Sequence, residues 1–193
     1  MWILISFVII FMLILLTRML TKEEKNISLV NKTIFITGCD SGFGFSLAVH
    51  CSGLGMKVVA GCYDNSSEGR HQLETMDNVV VVSLDVRDPA SVEAAVEVVR
   101  GVCGDTGLHC LVNNAAVLVF GETLWQTEEQ VRWQTDVNYW GPVRLSRAVM
   151  PLLTMTRDRA RVVNMISNCT ECPLPTLGPY TASKVNKMWH CPP

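Results

Sequence analysis

TIFITGCDSGFG, residues 33–44, decides how the rest of the chain is read. Thr33–Ile36 is a β-prone run without polar alternation, the pattern of a strand buried on both faces. Gly38, Gly42 and Gly44 follow at once, and Gly42–Leu54 then has the spacing of a helix. Glycines at a strand-to-helix turn permit positive φ and let the backbone approach a pyrophosphate, whose charge meets the helix N-terminus. A glycine-rich turn alone is weak evidence. Its place between strand and helix makes Thr37, Gly38, Asp40, Ser41, Gly42, Phe43 and Gly44 candidates for binding a dinucleotide.

Working outward, the same alternation recurs. Lys57–Cys62 (KVVAGC) reads as a second strand and Val79–Leu84 (VVVVSL) as a third, with apolar residues at helical spacing over Ala90–Val102. His109–Val112 (HCLV) is a fourth strand, Glu128–Leu153 a long helix, and Arg161–Ile166 (RVVNMI) a fifth strand. Unalternating strands separated by helices predict an α/β fold, a Rossmann-type doubly wound parallel sheet.

Bulk composition narrows the function classes. The 193 residues carry 16 Lys plus Arg against 18 Asp plus Glu, which gives no electrostatic case for nucleic acid. The eight cysteines are irregularly spaced in a chain too long to need a disulfide framework, so they read as reduced thiols. Cys169 and Cys172 form a C-x-x-C without a second pair or a histidine cluster, which predicts no metal site.

The N-terminus has its own character. From Trp2 to Leu16 only Ser6 is polar. As a helix, the apolar run would cover roughly 23–28 Å, just short of a bilayer core, with Arg18 able to reach the headgroups. No basic residue precedes the run, whereas Arg18, Lys22, Lys25 and Lys32 follow it. The expectation is therefore an uncleaved transmembrane helix over residues 1–20, a polar stalk over 21–32, and a catalytic-type domain over 33–193. The domain would face the cytosol, with the endoplasmic reticulum as the expected membrane.

The ends of the later strands carry chemistry-bearing residues in order. Asp85-Val86 ends the third strand, Asn113-Asn114-Ala115-Ala116 the fourth and Ser167 the fifth; Asn138 lies in the long helix as VNYWG, and Tyr180 and Lys184 follow as YTASK. The ordered set TGCDSGFG, LDV, NNAA, VNYWG, Ser167 and YTASK resembles the short-chain dehydrogenase/reductase superfamily, over roughly residues 30–185. TGCDSGFGFSLA and VAGC look closest to its D-3-hydroxybutyrate, retinol and hydroxysteroid dehydrogenase branch; with its anchor, the chain also looks like insect members that serve ecdysteroid production.

The resemblance implies a nicotinamide cofactor and hydride exchange with a secondary alcohol or ketone. It implies that Tyr180 is the acid/base, and that Lys184 lowers the phenol's pKa and binds the nicotinamide ribose. Ser167 would hold the substrate oxygen, and Asn138 would fix a relay water. Asp85, Val86, Asn114, Ala115 and Ala116 would line the cofactor. Counting from Thr37, Cys62 stands where relatives that prefer NAD often place an aspartate, and Asp64 becomes the candidate ribose acceptor. No cation stands there or in the glycine-rich loop, so NAD(H) is favoured over NADP(H). The family's usual NNAG is NNAA here, which adds the Ala116 methyl beside the cofactor.

Family members continue for roughly another 60–150 residues after this lysine, through two further strands and the substrate-covering loop. The expectation is a chain missing its C-terminal strands, cut from a longer enzyme that forms a homodimer or tetramer. An anchored parent suits a lipophilic substrate, a steroid, ecdysteroid precursor or retinoid. The alternatives are a small hydroxy acid such as 3-hydroxybutyrate, or a non-catalytic form that binds only cofactor or partners.

Overall fold

The computed structural model describes residues 28–156 and 159–189. The expected anchor (1–20) and most of the stalk lie outside the described residues. Among those described, no helix is long and apolar enough to cross a membrane.

Five parallel strands, β1 (Thr33–Thr37), β2 (Lys57–Cys62), β3 (Val79–Ser83), β4 (Cys110–Asn113) and β5 (Arg161–Asn164), form one sheet in the order β3-β2-β1-β4-β5. Helices α1 (Gly42–Gly53), α2 (Glu68–Glu74), α3 (Pro89–Cys103), α4 (Glu128–Thr135), α5 (Gly141–Met155) and α6 (Gly178–Trp189) connect or follow the strands.

The central strand explains the layering. All five residues of β1 are buried. Ile34 and Ile36 pack with Ala48 and Cys51 of α1 and Leu73 of α2. Phe35 points to the other face, into a cluster with Val96 and Val99 of α3 and Leu145, Val149 and Leu152 of α5. A strand covered by helices on both sides has no polar face to show, which is why TIFI lacks alternation. β5 differs: its residues alternate between exposed and half-buried, as suits the edge strand of this sheet.

Local chemistry sets the helix ends. Asp88 caps α3 by accepting from the amides of Ala90 and Ser91, with Pro89 in the first turn. Thr127 and Gln130 form a reciprocal capping box on α4. The expected single helix over 128–153 is three segments: α4, a π-helical turn over Asp136–Trp140, and α5. Helix α2 was not anticipated, because only Leu73 of its seven residues is buried and it carries little periodic signal.

Candidate functional site

β1 and β4 are neighbours, but the chain leaves them toward opposite sides of the sheet, so a crevice opens beyond their carboxyl ends. A cavity of about 310 Å³ lies there, with Gly38, Asp64, Asp85, Ala116 and Trp133 among its lining residues.

The floor of the crevice is a polar weld between β1 and β4. Thr37 Oγ1 accepts from the amides of Asn114 (3.1 Å) and Ala115 (2.9 Å), while Asn114 Nδ2 donates to the carbonyls of Thr37 (2.8 Å) and Gly38 (3.0 Å). This weld holds the glycine-rich turn against the sheet. A Cβ on Gly44 would lie 2.1 Å from Gly38 O, so only glycine lets α1 start this close. Gly42 has φ +60 and open space around it. Ser41 makes no side-chain cap, and Phe43 is exposed. The start of α1 thus presents uncapped backbone to the crevice, a fit for an anionic diphosphate.

Asp40 turns toward the second strand, where its Oδ1 accepts from the Asp64 amide at 2.7 Å. Cys62 is fully buried, and burial foremost, with the charge of Asp40 second, pushes its thiol up to about 12. Asp64 is exposed just past β2. Hydrogen bonds from the side chain and amide of Ser66 hold its carboxyl below the usual range. Of the cavity wall, Val86 is buried, whereas Ala116 is exposed with its extra methyl on the cavity.

Asp85 is not free. Arg87, unremarked in the sequence reading, donates from Nε to both carboxylate oxygens (3.0 and 3.2 Å) and from Nη2 to Oδ2 (2.7 Å). Those bonds hold the Asp85 carboxyl below its ordinary value. The guanidinium also lies 5.7 Å from the Tyr63 ring centroid and donates to Tyr63 OH at 3.3 Å. Cavity-lining Arg87 was legible only as a cation two residues after Asp85, a spacing that closes a local turn.

At the other end of the crevice, Tyr180 and Lys184 sit one turn apart on α6, with Lys184 Nζ 5.6 Å from the Tyr180 ring centroid. Lys184 is 3% exposed, its Nζ donates to Met165 O at 3.1 Å, and burial pulls its pKa down to about 8. Ser167 follows β5 and caps a 3-10 turn, where its Oγ accepts from the Cys169 amide. Cys169 is buried and Cys172 exposed.

Asn138, inside the π-turn, is fully buried. Its Oδ1 accepts from Val117 N (2.8 Å), and its Nδ2 donates to Val117 O (2.8 Å) and to Ser183 Oγ (3.0 Å). Ser183 in turn donates to Tyr180 O at 2.6 Å. The structure thus ties Asn138 to the helix carrying Tyr180 and Lys184 through Ser183, which the sequence reading passed over. One turn before Asn138, the buried Gln134 accepts from Val119 N and donates to Gln126 Oε1, pinning the loop after β4.

With this geometry in view, comparison with known proteins is informative. A family model described as short chain dehydrogenase matches residues 32–188. The mitochondrial D-beta-hydroxybutyrate dehydrogenase of Rattus norvegicus is 39% identical over 159 residues, covering 79% of this chain and 46% of the relative. Retinol dehydrogenase 5 of Homo sapiens is 36% identical over 149 residues, covering 77% of this chain and 46% of the relative. Among solved structures, a short chain dehydrogenase/reductase from Burkholderia phymatum in complex with NAD superposes with a TM-score of 0.78 at 28% identity, covering 84% of this chain and 58% of that one. The chain spans about half the length of the curated relatives it matches.

Proposed function

Because the chain belongs to the short-chain dehydrogenase family, we propose that it is the cofactor-binding and catalytic part of an NAD(H)-dependent oxidoreductase acting on a secondary alcohol or ketone of a lipophilic molecule, of steroid, ecdysteroid-precursor or retinoid type. The observation that carries the reading is the buried Lys184 beside Tyr180. Taking an ammonium out of water for one carbonyl partner costs stability that a purely structural position would avoid with an apolar residue.

In this reading the start of α1 would hold the cofactor's diphosphate, the cavity lined by Asp64 and Asp85 would take its adenosine, and Tyr180 would serve the nicotinamide end. When bound, the cofactor accepts or gives the hydride. The chain's own residues move and hold the proton. Tyr180 takes it from the substrate hydroxyl in the oxidative direction. With a pKa near 8, Lys184 is mostly ammonium at neutral pH, and that positive charge stands 5.6 Å from the centre of the Tyr180 ring. Ser167 Oγ accepts from Cys169 N and makes a long bond to Asn168 Oδ1 at 3.4 Å, so its hydroxyl would turn that hydrogen from Asn168 to the substrate oxygen. Both Nδ2 hydrogens of Asn138 are spent, which leaves one Oδ1 lone pair for a relay water.

The lipophilic assignment is supported by the loop after β4. Phe120, Leu124 and Trp125 are 74%, 95% and 78% exposed. The loop is also joined to the approach of α6 by a bond from Gly121 N to Thr176 O. A small hydroxy acid is the second reading, favoured by the hydroxybutyrate dehydrogenase among the relatives. The anchor over residues 1–20 at the endoplasmic reticulum and an oligomeric longer parent belong to the same proposal.

The test is turnover by the full chain in detergent with NAD, followed by reduced-nicotinamide absorbance, on a hydroxysteroid, a retinoid alcohol and D-3-hydroxybutyrate. Tyr180→Phe serves as the control. Oxidation of the lipophilic substrates alone is the expected result, and oxidation of hydroxybutyrate alone selects the second reading. NADH binding without turnover on any of them assigns the chain to cofactor binding only.

A further inference from the structure

The outer wall of the cavity carries a charge arrangement that the proton-transfer residues do not use. Asp40, Asp64 and Asp85 line the cavity together with Arg87. Arg87 is positioned to meet a phosphate, because it lies on Tyr63, next to the residue that would face the adenosine ribose. Asp64 stands 20 residues after Gly44, about the interval at which dinucleotide folds place the residue that reads the ribose 2′ position. Yet Arg87 is committed. Its Nε and Nη2 grip both Asp85 oxygens, its own amide donates to Asp85 Oδ1 at 2.9 Å, and its Nη2 also reaches Tyr63 OH. Both side chains are partly exposed, Arg87 at 33% and Asp85 at 27%, so a ligand can reach them.

Resting on the NAD(H) reading above, we propose that the Asp85–Arg87 pair is a specificity device: Asp85 withholds the guanidinium from a 2′-phosphate, so the cavity selects NAD(H) over NADP(H). The physical reason is a difference of affinities. A 2′-hydroxyl needs only an acceptor such as Asp64. A 2′-phosphate brings negative charge to a wall where carboxylates outnumber the guanidinium, and it can gain Arg87 only by breaking a bidentate charge-assisted pair. The guanidinium is planar, always charged and already at the ribose side, so freeing it would supply a ready phosphate partner. The lack of a cation in sequence at the end of β2 or in the glycine-rich loop is thus only half of the discrimination; Arg70, whose charge reaches Cys62, is itself bound to Glu74, Asn65 and Ser83. The cation exists in Arg87, and it is held in check.

The experiment measures dissociation constants of NADH and NADPH for the full chain by titration calorimetry, without any turnover. The two ligands differ only at the 2′ position, so general damage to the adenosine site cancels in their ratio. Wild type is expected to prefer NADH. Asp85→Asn should move the ratio toward NADPH by about tenfold, and adding Arg87→Gln to it should return most of that shift. Arg87→Gln alone, which leaves Asp85 uncompensated, should move the ratio at least about threefold further toward NADH. A ratio unmoved in Asp85→Asn, or a shift that persists in the double variant, overturns the proposal. Should Asp85→Asn not fold, an unmoved ratio in Arg87→Gln overturns it equally. Failure of the wild type to bind NADH at all refutes the cofactor reading itself and this inference with it. NADH binding with an unchanged ratio refutes the pair alone.

Discussion

Replacing Lys184 with methionine should stabilise the protein while destroying its chemistry, and the gain should depend on pH. The lysine is 3% exposed, burial pulls its pKa from 10.5 to about 8, and Met165 O is its hydrogen-bond acceptor. A folded pKa below the unfolded one means that the unfolded chain holds more protons between the two values. The penalty is therefore fully present below about pH 8 and fades as pH rises from there toward 10.5. At pH 7 that shift corresponds to roughly 3 kcal/mol, and at pH 10 to less than about 1 kcal/mol. Methionine keeps the apolar stem but leaves the Met165 carbonyl unpaired, at a cost of about 1–2 kcal/mol. The net expectation is a variant about 1–2 kcal/mol more stable than wild type at pH 7 and no more stable, or less, at pH 10.

The assay is thermal or urea unfolding of both full-length chains across pH 7–10, read as the difference between them, so that ionisations common to both cancel. The difference should change by about 2.5 kcal/mol over this range, or roughly 5–10 °C in melting temperature for a domain of this size. A difference that stays flat with pH would refute the reasoning, because Lys184 would then carry no burial penalty to relieve. Loss of turnover in the same variant is expected on either outcome and does not decide the point.

Tyr180→Phe should lower turnover by about 10²–10⁴ while NADH affinity stays within about twofold, checked by initial rates and calorimetry on one preparation. Gly44→Ala places a methyl 2.1 Å from Gly38 O and 2.5 Å from Asn114 Nδ2; it should cost about 1–3 kcal/mol in urea unfolding and weaken NADH binding more than tenfold. Gly42→Ala meets nothing within 4 Å but sits at φ +60, so its cost should be only about 1 kcal/mol, seen in the same titration. Asn138→Leu removes the bonds to Val117 N, Val117 O and Ser183 Oγ and should lower unfolding free energy by about 2–4 kcal/mol, with faster amide exchange at Val117.

Much of the fold can be read in the residues because the buried strands leave a plain signature. β1 is hidden on both faces and its sequence is uniformly apolar and β-prone, so strand, turn and helix follow from residues 33–53 alone. Interruptions were harder. The π-turn over Asp136–Trp140 shifts hydrogen bonds inside a stretch whose apolar spacing still looks helical, so the periodicity over 128–153 carries no sign of it. In the site, the spacing of Tyr180 and Lys184 was legible because a helix fixes neighbours four apart. Asp85 was legible as a residue but not in its bonding, since nothing in LDVR shows that Arg87 folds back on the carboxylate rather than out to solvent. Gln134 was missed because a glutamine on an amphipathic helix reads as surface, whereas here it is fully buried and bonded.

Those misses share a physical pattern. The apolar core sets the sheet and helices, but the crevice is finished by side-chain amides and hydroxyls, all buried except the half-buried Asn114: Thr37 and Asn114 at the glycine-rich turn, Gln134 of α4 and Asn138 of the π-turn bonded to the loop after β4, and Ser183 on α6. All but Ser183 satisfy backbone groups at or just past the strand ends, where ladder pairing stops. Asn138 does this across three elements at once, bridging Val117 to Ser183 and through it to the Tyr180 carbonyl. The loop that carries Phe120, Leu124 and Trp125 is therefore mechanically joined to the helix that carries the proposed acid/base. A substrate that presses on the loop also presses on the placement of Tyr180, and a variant such as Gln134→Leu, remote from any reacting atom, should lower turnover through that connection before it unfolds the sheet.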